Sequence, residues 1–386
     1  MNESKATRYQ RRQRQMAVLG WSLSVAALAV VAFTPLGAWS FQRASDAVLL
    51  LPAGIRSPAA AALFIVGVTT WCEVALLPAL LYQSRRVDPT YGRAVPGSIR
   101  GRIVGSLLLL PVVIAAGLLV LAMGRAAGEA WWLATGVLLT AAATLVLGAG
   151  PLLLGRLGDV RPLTRPTLSI RLTALAADVG VPVAAIQEWR NADTSTTVAM
   201  VTGMGRARRV LVASDVVRHW SDDEVAVVVA HELAHHVYGD LIRSMGLNAA
   251  VLSAGLLASH VVLGWLGPRL GTGGAGDPVA LPVVAFVTLA VWLAATPIRH
   301  AQSRRQERRA DRFALTSTGQ ADAFVAAIRR ASARSLVDDR PAALTRWLFH
   351  RHPSVSERLA LADRFVVERA GATDRPPASV YTSYTR

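Results

Sequence analysis

Six stretches of this chain are each about twenty residues or longer and carry few or no charges: residues 16–39, 59–82, 103–123, 131–154, 244–266 and 279–298. Inside a bilayer each backbone polar group needs a partner from the protein itself, and a helix of about twenty apolar residues meets that demand while crossing the hydrocarbon core. Few folds remain open to such a chain. The expectation is a mainly α, multi-span α-helical membrane protein with six transmembrane helices. Composition agrees, since 53% of residues are hydrophobic and only 17% charged, too apolar for an ordinary soluble domain. The first stretch is too long for a cleavable signal peptide, lacks a small-residue cleavage site after it, and is followed by further spans. His260 and the Gly-rich loop at 271–276 interrupt the last two stretches, so a re-entrant hairpin is the alternative there.

Basic residues set the orientation. Lys5, Arg8, Arg11, Arg12 and Arg14 precede the first stretch, and Arg85, Arg86, Arg93, Arg100 and Arg102 lie between the second and third. The loops after the first, third and fifth stretches carry only Arg43 and Arg56, Arg125, and Arg269. Cationic loops stay in the cytoplasm, which is expected to hold the N-terminus, residues 156–243 and the C-terminus. The net charge of +16 then reflects topology and attraction to anionic lipid headgroups. No zinc-finger, helix-turn-helix or aromatic-stacking signature supports a nucleic-acid partner; the bilayer is the expected one. Cys72, the only cysteine, lies in the second stretch, which excludes an intramolecular disulfide and a cluster of thiolate metal ligands. Its neighbour Glu73 is either a functional group inside a span or a helix-to-helix hydrogen bond. A single lysine against forty arginines suggests a GC-rich bacterium, hence its plasma membrane.

Between the fourth and fifth stretches stands His231-Glu232-Leu233-Ala234-His235-His236. On a helix His231 and His235 share one face, where two neutral imidazoles can take one Zn²⁺. Glu232, about 100° round the helix, can reach a water beside the metal without ligating it. Ser221 and Glu224 form a capping box, residues 225–230 contain no Gly or Pro, and Gly239 marks the end. A chance match or a pair of core histidines remains the alternative. A zinc site needs a third ligand, and residues 303–314 offer one: Glu307 and Asp311 are four apart, so one can ligate while the other accepts a hydrogen bond from an imidazole. By itself this segment also reads as a solvated ion-paired helix, with Arg304, Arg305, Arg308, Arg309 and Arg312 around it. Coupled to the HExxH segment, the ligand reading gains.

An HExxH followed about seventy residues later by Glu307-x-x-Ala310-Asp311, with Ser303-Arg304 just upstream, resembles the M48 zinc metallopeptidases, among them the CAAX prenyl protease and HtpX-like integral membrane proteases. The resemblance covers residues 165–363. Leu175-Ala176 with Gly180-Val181-Pro182-Val183 is similar to the segment ahead of the family's small sheet. Residues 203–212, with Gly203, Met204 and Gly205, then Ser214-Asp215, resemble its strand pair and the approach to the catalytic helix. His352-Pro353 with Arg358 resembles its C-terminal HPxxxxR.

The resemblance implies a zincin-like α+β metallopeptidase domain on the cytoplasmic side, with one Zn²⁺ per chain held by His231, His235 and Glu307. It makes Glu232 the general base and Asp311 the group orienting a ligand. His352 and Arg358 would stabilise the oxyanion or position substrate. Read as residues, His352 is also a helix-start histidine beside Pro, and Arg358 a surface arginine pairing with Glu357 or Asp363. His236 falls outside the ligand set, and Asp240 either caps or orients. One position departs from the family: a usual Asn is Val198 here, in Val198-Ala199-Met200, and Asn191-Ala192 lies too far upstream to replace it. The strand is still expected to form an edge that an extended peptide can join.

The expected organisation is a basic arm (1–15), a four-helix transmembrane region (16–154), a first peptidase part with the HExxH helix (155–243), a transmembrane hairpin (244–298), a second part with the third ligand (299–370) and a flexible tail (371–386) containing Pro376-Pro377, Tyr381 and Tyr384. The expected function is a membrane zinc endopeptidase cutting peptides or membrane proteins at the cytoplasmic face. A zinc-retaining regulatory protein that binds peptides is a second reading, and a transporter with an incidental HExxH a third. Against the transporter, the spans lack a charged midplane path beyond Glu73 and show no inverted repeat. The sequence sets no oligomeric state.

Overall fold

The computed structural model describes residues 5–92, 98–157, 159–190, 198–203, 205–335 and 342–373. Met204, Arg93, Asn191, Ala192 and the tail residues Pro376, Pro377, Tyr381 and Tyr384 lie outside them. The fold is mainly α-helical with one small sheet. Its contacts divide it into two compact units, residues 1–145 with 244–299, and residues 146–243 with 300–386.

The first unit opens with α1 (Lys5–Phe33) and α2 (Leu36–Ala47). Two expectations change here. Residues 5–15, expected as a basic arm separate from the first span, continue into it within α1, and Tyr9 is buried with its hydroxyl donating to Asp88 at 3.1 Å. The apolar stretch 16–39 is cut after Phe33, because Pro35 has no N–H to continue the ladder. Next come α3 (Ala53–Tyr82), a π-helical turn over Gln83–Val87, α4 (Asp88–Thr90), α5 (Ser98–Ala126) and α6 (Trp131–Leu157). Polar ties join these helices where water is scarce: Ser24 donates to the Cys72 carbonyl at 2.9 Å and the Trp71 indole to the Ala27 carbonyl at 3.1 Å. Glu73 accepts three hydrogen bonds from Arg102 of α5, at 2.9, 3.2 and 3.3 Å, which is the helix-to-helix reading of that residue.

The second unit carries the sheet. Its elements are β1 (Val160–Pro162), α7 (Pro166–Asp178), β2 (Ala185–Trp189), β3 (Ala199–Thr202), β4 (Arg209–Ala213), α8 (Ser214–His219) and α9 (Asp222–Val237). The strand order is β1-β2-β4-β3, with β2 and β4 parallel and the two outer pairs antiparallel. α9 is buried on two sides. Val225, Val229 and Leu233 pack with Leu168 and Leu172 of α7 and with Val210 and Val212 of β4. Each such fully buried side chain contributes about 1.5–3 kcal/mol.

The chain then forms α10 (Asp240–Leu270), α11 (Leu281–Ala294) and α12 (Thr296–Thr318), followed by α13 (Ala321–Ser335), α14 (Ala343–Phe349) and α15 (Val355–Thr373). Val227 and Ala230 of α9 pack on the other side against Ala314 and Leu315 of α12, Phe324 of α13 and Ala362 of α15. Among the described residues, five helices are long and apolar enough to cross a membrane, and the bent pair α11/α12 makes a sixth candidate. That sixth stretch was expected to be continuous through residue 298, but it bends by 46°. Pro297 explains the bend, since it offers no N–H to the Leu293 carbonyl four residues earlier.

Candidate metal centre

The HExxH helix is anchored at its start and stopped just past its end. Ser221 Oγ accepts from the Glu224 amide at 3.2 Å, while Glu224 Oε2 accepts from the Ser221 amide at 2.8 Å, the reciprocal cap expected from the sequence. Asp222, Asp223 and Glu224 complement the positive end of the helix dipole. Gly239, at φ +63°, turns the chain out of the helix in a conformation that suits glycine.

One turn of α9 presents His231 and His235 side by side, their ring centroids 5.1 Å apart and the rings nearly perpendicular. α12 brings Glu307 to them: its Oε2 is 3.2 Å from His231 Nε2 and its Oε1 3.7 Å from His235 Nε2. One ligand atom from each of the three lies within 4.8 Å of the others. Behind His231, Asp311 Oδ1 stands 2.9 Å from Nδ1; behind His235, Asp240 Oδ2 stands 3.0 Å from Nδ1. An ionised carboxylate only accepts, so each Nδ1 carries the proton and each Nε2 offers a lone pair toward Glu307. Three acceptors pointing at one spot require a cation. A tetrahedral ion with bonds of about 2.0–2.1 Å has ligand-to-ligand edges of about 3.3 Å, and the two distances from the histidines to Glu307, 3.2 and 3.7 Å, are near that size. The donor set, two imidazoles and a carboxylate, is one that suits zinc.

In the absence of a metal, a proton meets the same demand. Burial alone would lower the His231 pKa, but hydrogen bonds to Asp311 and then Glu307 outweigh it and raise the value to about 10. Burial likewise works against the ionised Glu307, yet His231 and His352 hold its carboxyl well below the usual range. Asp311 is lowered too, with Arg358 overcoming its burial. Glu232 differs: burial pushes its carboxyl up, and the positive field of His231 and His235 only partly offsets this. A carboxyl held above its ordinary range beside a cation site is suited to take up and give back a proton.

The two C-terminal residues singled out in the sequence both reach this cluster. His352, largely exposed, has Nδ1 2.8 Å from Glu307 Oε2. Ser354, two residues on, caps α15 through a box with Glu357, and Arg304 of α12 donates to the carbonyls of Arg346 and His350. Arg358 is no surface arginine: its Nε and Nη2 donate to Asp311 at 2.8 and 2.5 Å. Any contact to substrate falls to its remaining Nη1. His236 stands outside the ligand set, its Nε2 3.4 Å from the Val201 carbonyl.

β3 is an edge strand. Val198 O accepts from the Ala213 amide, so the pairs bonded to β4 fall on residues 198, 200 and 202. The N–H and C=O groups of Ala199 and Val201 therefore point away from the sheet. Val198 lies at the start of this strand and supplies no polar side chain there.

Residues 162–366, more than half of the 386, match the sequence model of peptidase family M48. An uncharacterized metalloprotease of Bacillus subtilis strain 168, YhfN, is 25% identical over 244 residues, covering 61% of this chain and 56% of that protein. A protease HtpX homolog of Desulfotalea psychrophila is 30% identical over 203 residues, covering 48% of this chain and 69% of that protein. The crystal structure of Ste24p from S. mikatae aligns over 93% of this chain and 88% of its own, with a TM-score of 0.73 at 18% identity, a likeness of fold.

Proposed function

Because the chain belongs to peptidase family M48, we propose that it is an integral membrane zinc endopeptidase that cleaves peptides or membrane proteins at the cytoplasmic face. The observation that carries this reading is the convergence of His231 Nε2, His235 Nε2 and the Glu307 carboxylate beside Glu232. Those three residues would hold the metal. Bound there, zinc would supply a Lewis acid that polarises the scissile carbonyl and makes a water acidic enough to attack near neutral pH.

The remaining work belongs to the chain. Glu232, with its raised pKa, accepts the proton of the attacking water and returns it to the leaving amine. Asp311, itself gripped by Arg358, holds the His231 ring by Nδ1. His352, exposed beside Glu307, is placed to donate to the developing oxyanion, with Arg358 adding positive charge behind it. An extended substrate would pair with the outward groups of Ala199 and with the Val201 amide, the Val201 carbonyl being faced by His236. The cytoplasmic placement rests on the alternation of basic loops.

Metal content and peptidase turnover of detergent-purified wild type, Glu232→Gln and Glu307→Gln test the assignment. Glu232→Gln should keep stoichiometric zinc and lose turnover by about 10²–10⁴-fold. Glu307→Gln should lose the metal. Equal loss of zinc in both variants would show the roles to be wrong, and absence of zinc from the wild type would sink the reading.

A further inference from the structure

His231 is backed by Asp311, and Asp311 is backed by Arg358. The same succession recurs behind His235. Asp240 Oδ2 lies 3.0 Å from His235 Nδ1, and Asp240 Oδ1 accepts from Arg309 Nη2. Each guanidinium also rests over an aromatic ring, Arg309 at 4.0 Å from the Tyr238 centroid and Arg358 at 5.8 Å from that of Phe324. We infer that Asp240 and Arg309 are positioning residues that fix His235 in its ligating tautomer, forming a second histidine–carboxylate–arginine clamp opposite the one through Asp311.

The backbone is shaped for this. α9 ends at Val237, Gly239 turns at φ +63°, and Asp240 opens α10 directly beside the last turn of the helix that carries His235. Asp240 is only 4% exposed, and a carboxylate buried to that degree needs paired donors. A plain helix-start acid would turn its oxygens to the first amides of its own helix. Here one oxygen faces His235 and the other faces Arg309, with Arg243 more distant at 3.9 Å. Gln306 of α12 donates to the Asp240 carbonyl at 3.4 Å, holding the same residue by its backbone. α12 thus supplies a candidate ligand, Glu307, and the cations or carboxylates behind both histidines: Asp311 on one flank, Arg309 on the other.

The chemistry follows from the charges. Asp240 can only accept from Nδ1, which leaves the His235 lone pair on Nε2, the nitrogen that faces Glu307. Arg309 places a positive charge against the buried Asp240 carboxylate, offsetting the cost of burying it. Its planar fork, stacked on Tyr238, presents a donor that a lysine would not hold in the same direction.

This inference rests on the zinc reading proposed above. Zinc affinity by chelator competition and the visible absorption of the cobalt-substituted protein test it, on wild type, Asp240→Asn, Arg309→Met and Arg309→Lys. Arg312→Met, removing an exposed arginine of the same helix, controls for loss of charge. Asp240→Asn should weaken zinc by about 10–100-fold and shift the cobalt bands. Arg309→Met should weaken zinc less, Arg309→Lys should restore part of the loss, and Arg312→Met should leave both readouts unchanged. Wild-type affinity and spectrum in Asp240→Asn, with the wild type binding one zinc, would overturn the clamp and leave the peptidase reading standing. A wild type that binds no zinc would overturn both. Should Asp240→Asn fail to fold, Arg309→Met decides alone, because Arg309 is partly exposed and Asp240 keeps His235 Nδ1 as a partner; unchanged zinc affinity there would overturn the inference.

Discussion

His231 is held between two carboxylates, and that fixes how its proton and a metal compete. Its pKa in the fold is about 10 against an ordinary 6.5. A pKa raised by folding contributes stability that is fully present below the unfolded value and is lost as pH rises through the folded one. Chelator-treated protein should therefore melt at falling temperature as the pH goes from about 7 to about 10. Metal-loaded protein should not show that decline, because the metal has replaced the proton. Thermal melts with and without chelator check this, and a decline of equal size in both would contradict it. A companion expectation is that zinc binding at pH 8 releases protons, read by calorimetry in two buffers of different ionisation enthalpy. The neighbourhood of His231, His235, Glu307 and Asp311 was legible because each pair is four residues apart, and a helix turns that spacing into a shared face. The partners of Arg309 and Arg358 were not. Six arginines crowd α12, and spacing says nothing about which of them meets a carboxylate from a distant part of the chain.

α9 owes its position to its two ends, and they make separable predictions. Ser221→Ala removes one half of the capping box and should cost about 1 kcal/mol of stability with zinc affinity unchanged. Gly239→Ala introduces a side chain at φ +63°, where a Cβ meets nothing within 4 Å. The cost there is conformational alone, about 1–2 kcal/mol. Because Gly239 sets where Asp240 falls, this variant should also weaken zinc, unlike Ser221→Ala. Melting temperatures and chelator competition on the two variants check the contrast. Both ends could be seen in the sequence, since capping residues and glycine act on their immediate neighbours. Pro35 and Pro297 break stretches that hydropathy alone reads as continuous. An apolar run reports where a helix is favourable in lipid, but a missing N–H decides where its ladder stops.

The two units are interleaved along the chain, so the crossings of the chain through a membrane decide which side each part faces. Hydropathy alone gives the number of long apolar stretches and leaves the bent pair α11/α12 ambiguous. The basic loops supply a direction. In a Cys72→Ala background, a single cysteine at Leu50 or at Gly273 should react with a membrane-impermeant maleimide on intact cells. Leu50 is fully exposed between α2 and α3, and a Cβ at Gly273 makes only ordinary contact with Asp277. Cysteines at Arg86 and at Arg312, both exposed, should react only after the membrane is opened. Labelling of Leu50→Cys and Arg86→Cys from the same side would remove the second crossing. Failure of Gly273→Cys to label from outside, with the other three as expected, would mean that α10 and α11 dip into the bilayer and return. In that case Arg243 and Arg299 would still share a side, and Glu307 would still reach His231 from the same face of the membrane. The charge pattern would survive, the span count would fall by two, and a hairpin carrying Gly271 and Gly274 would be the part of the chain that hydropathy misread.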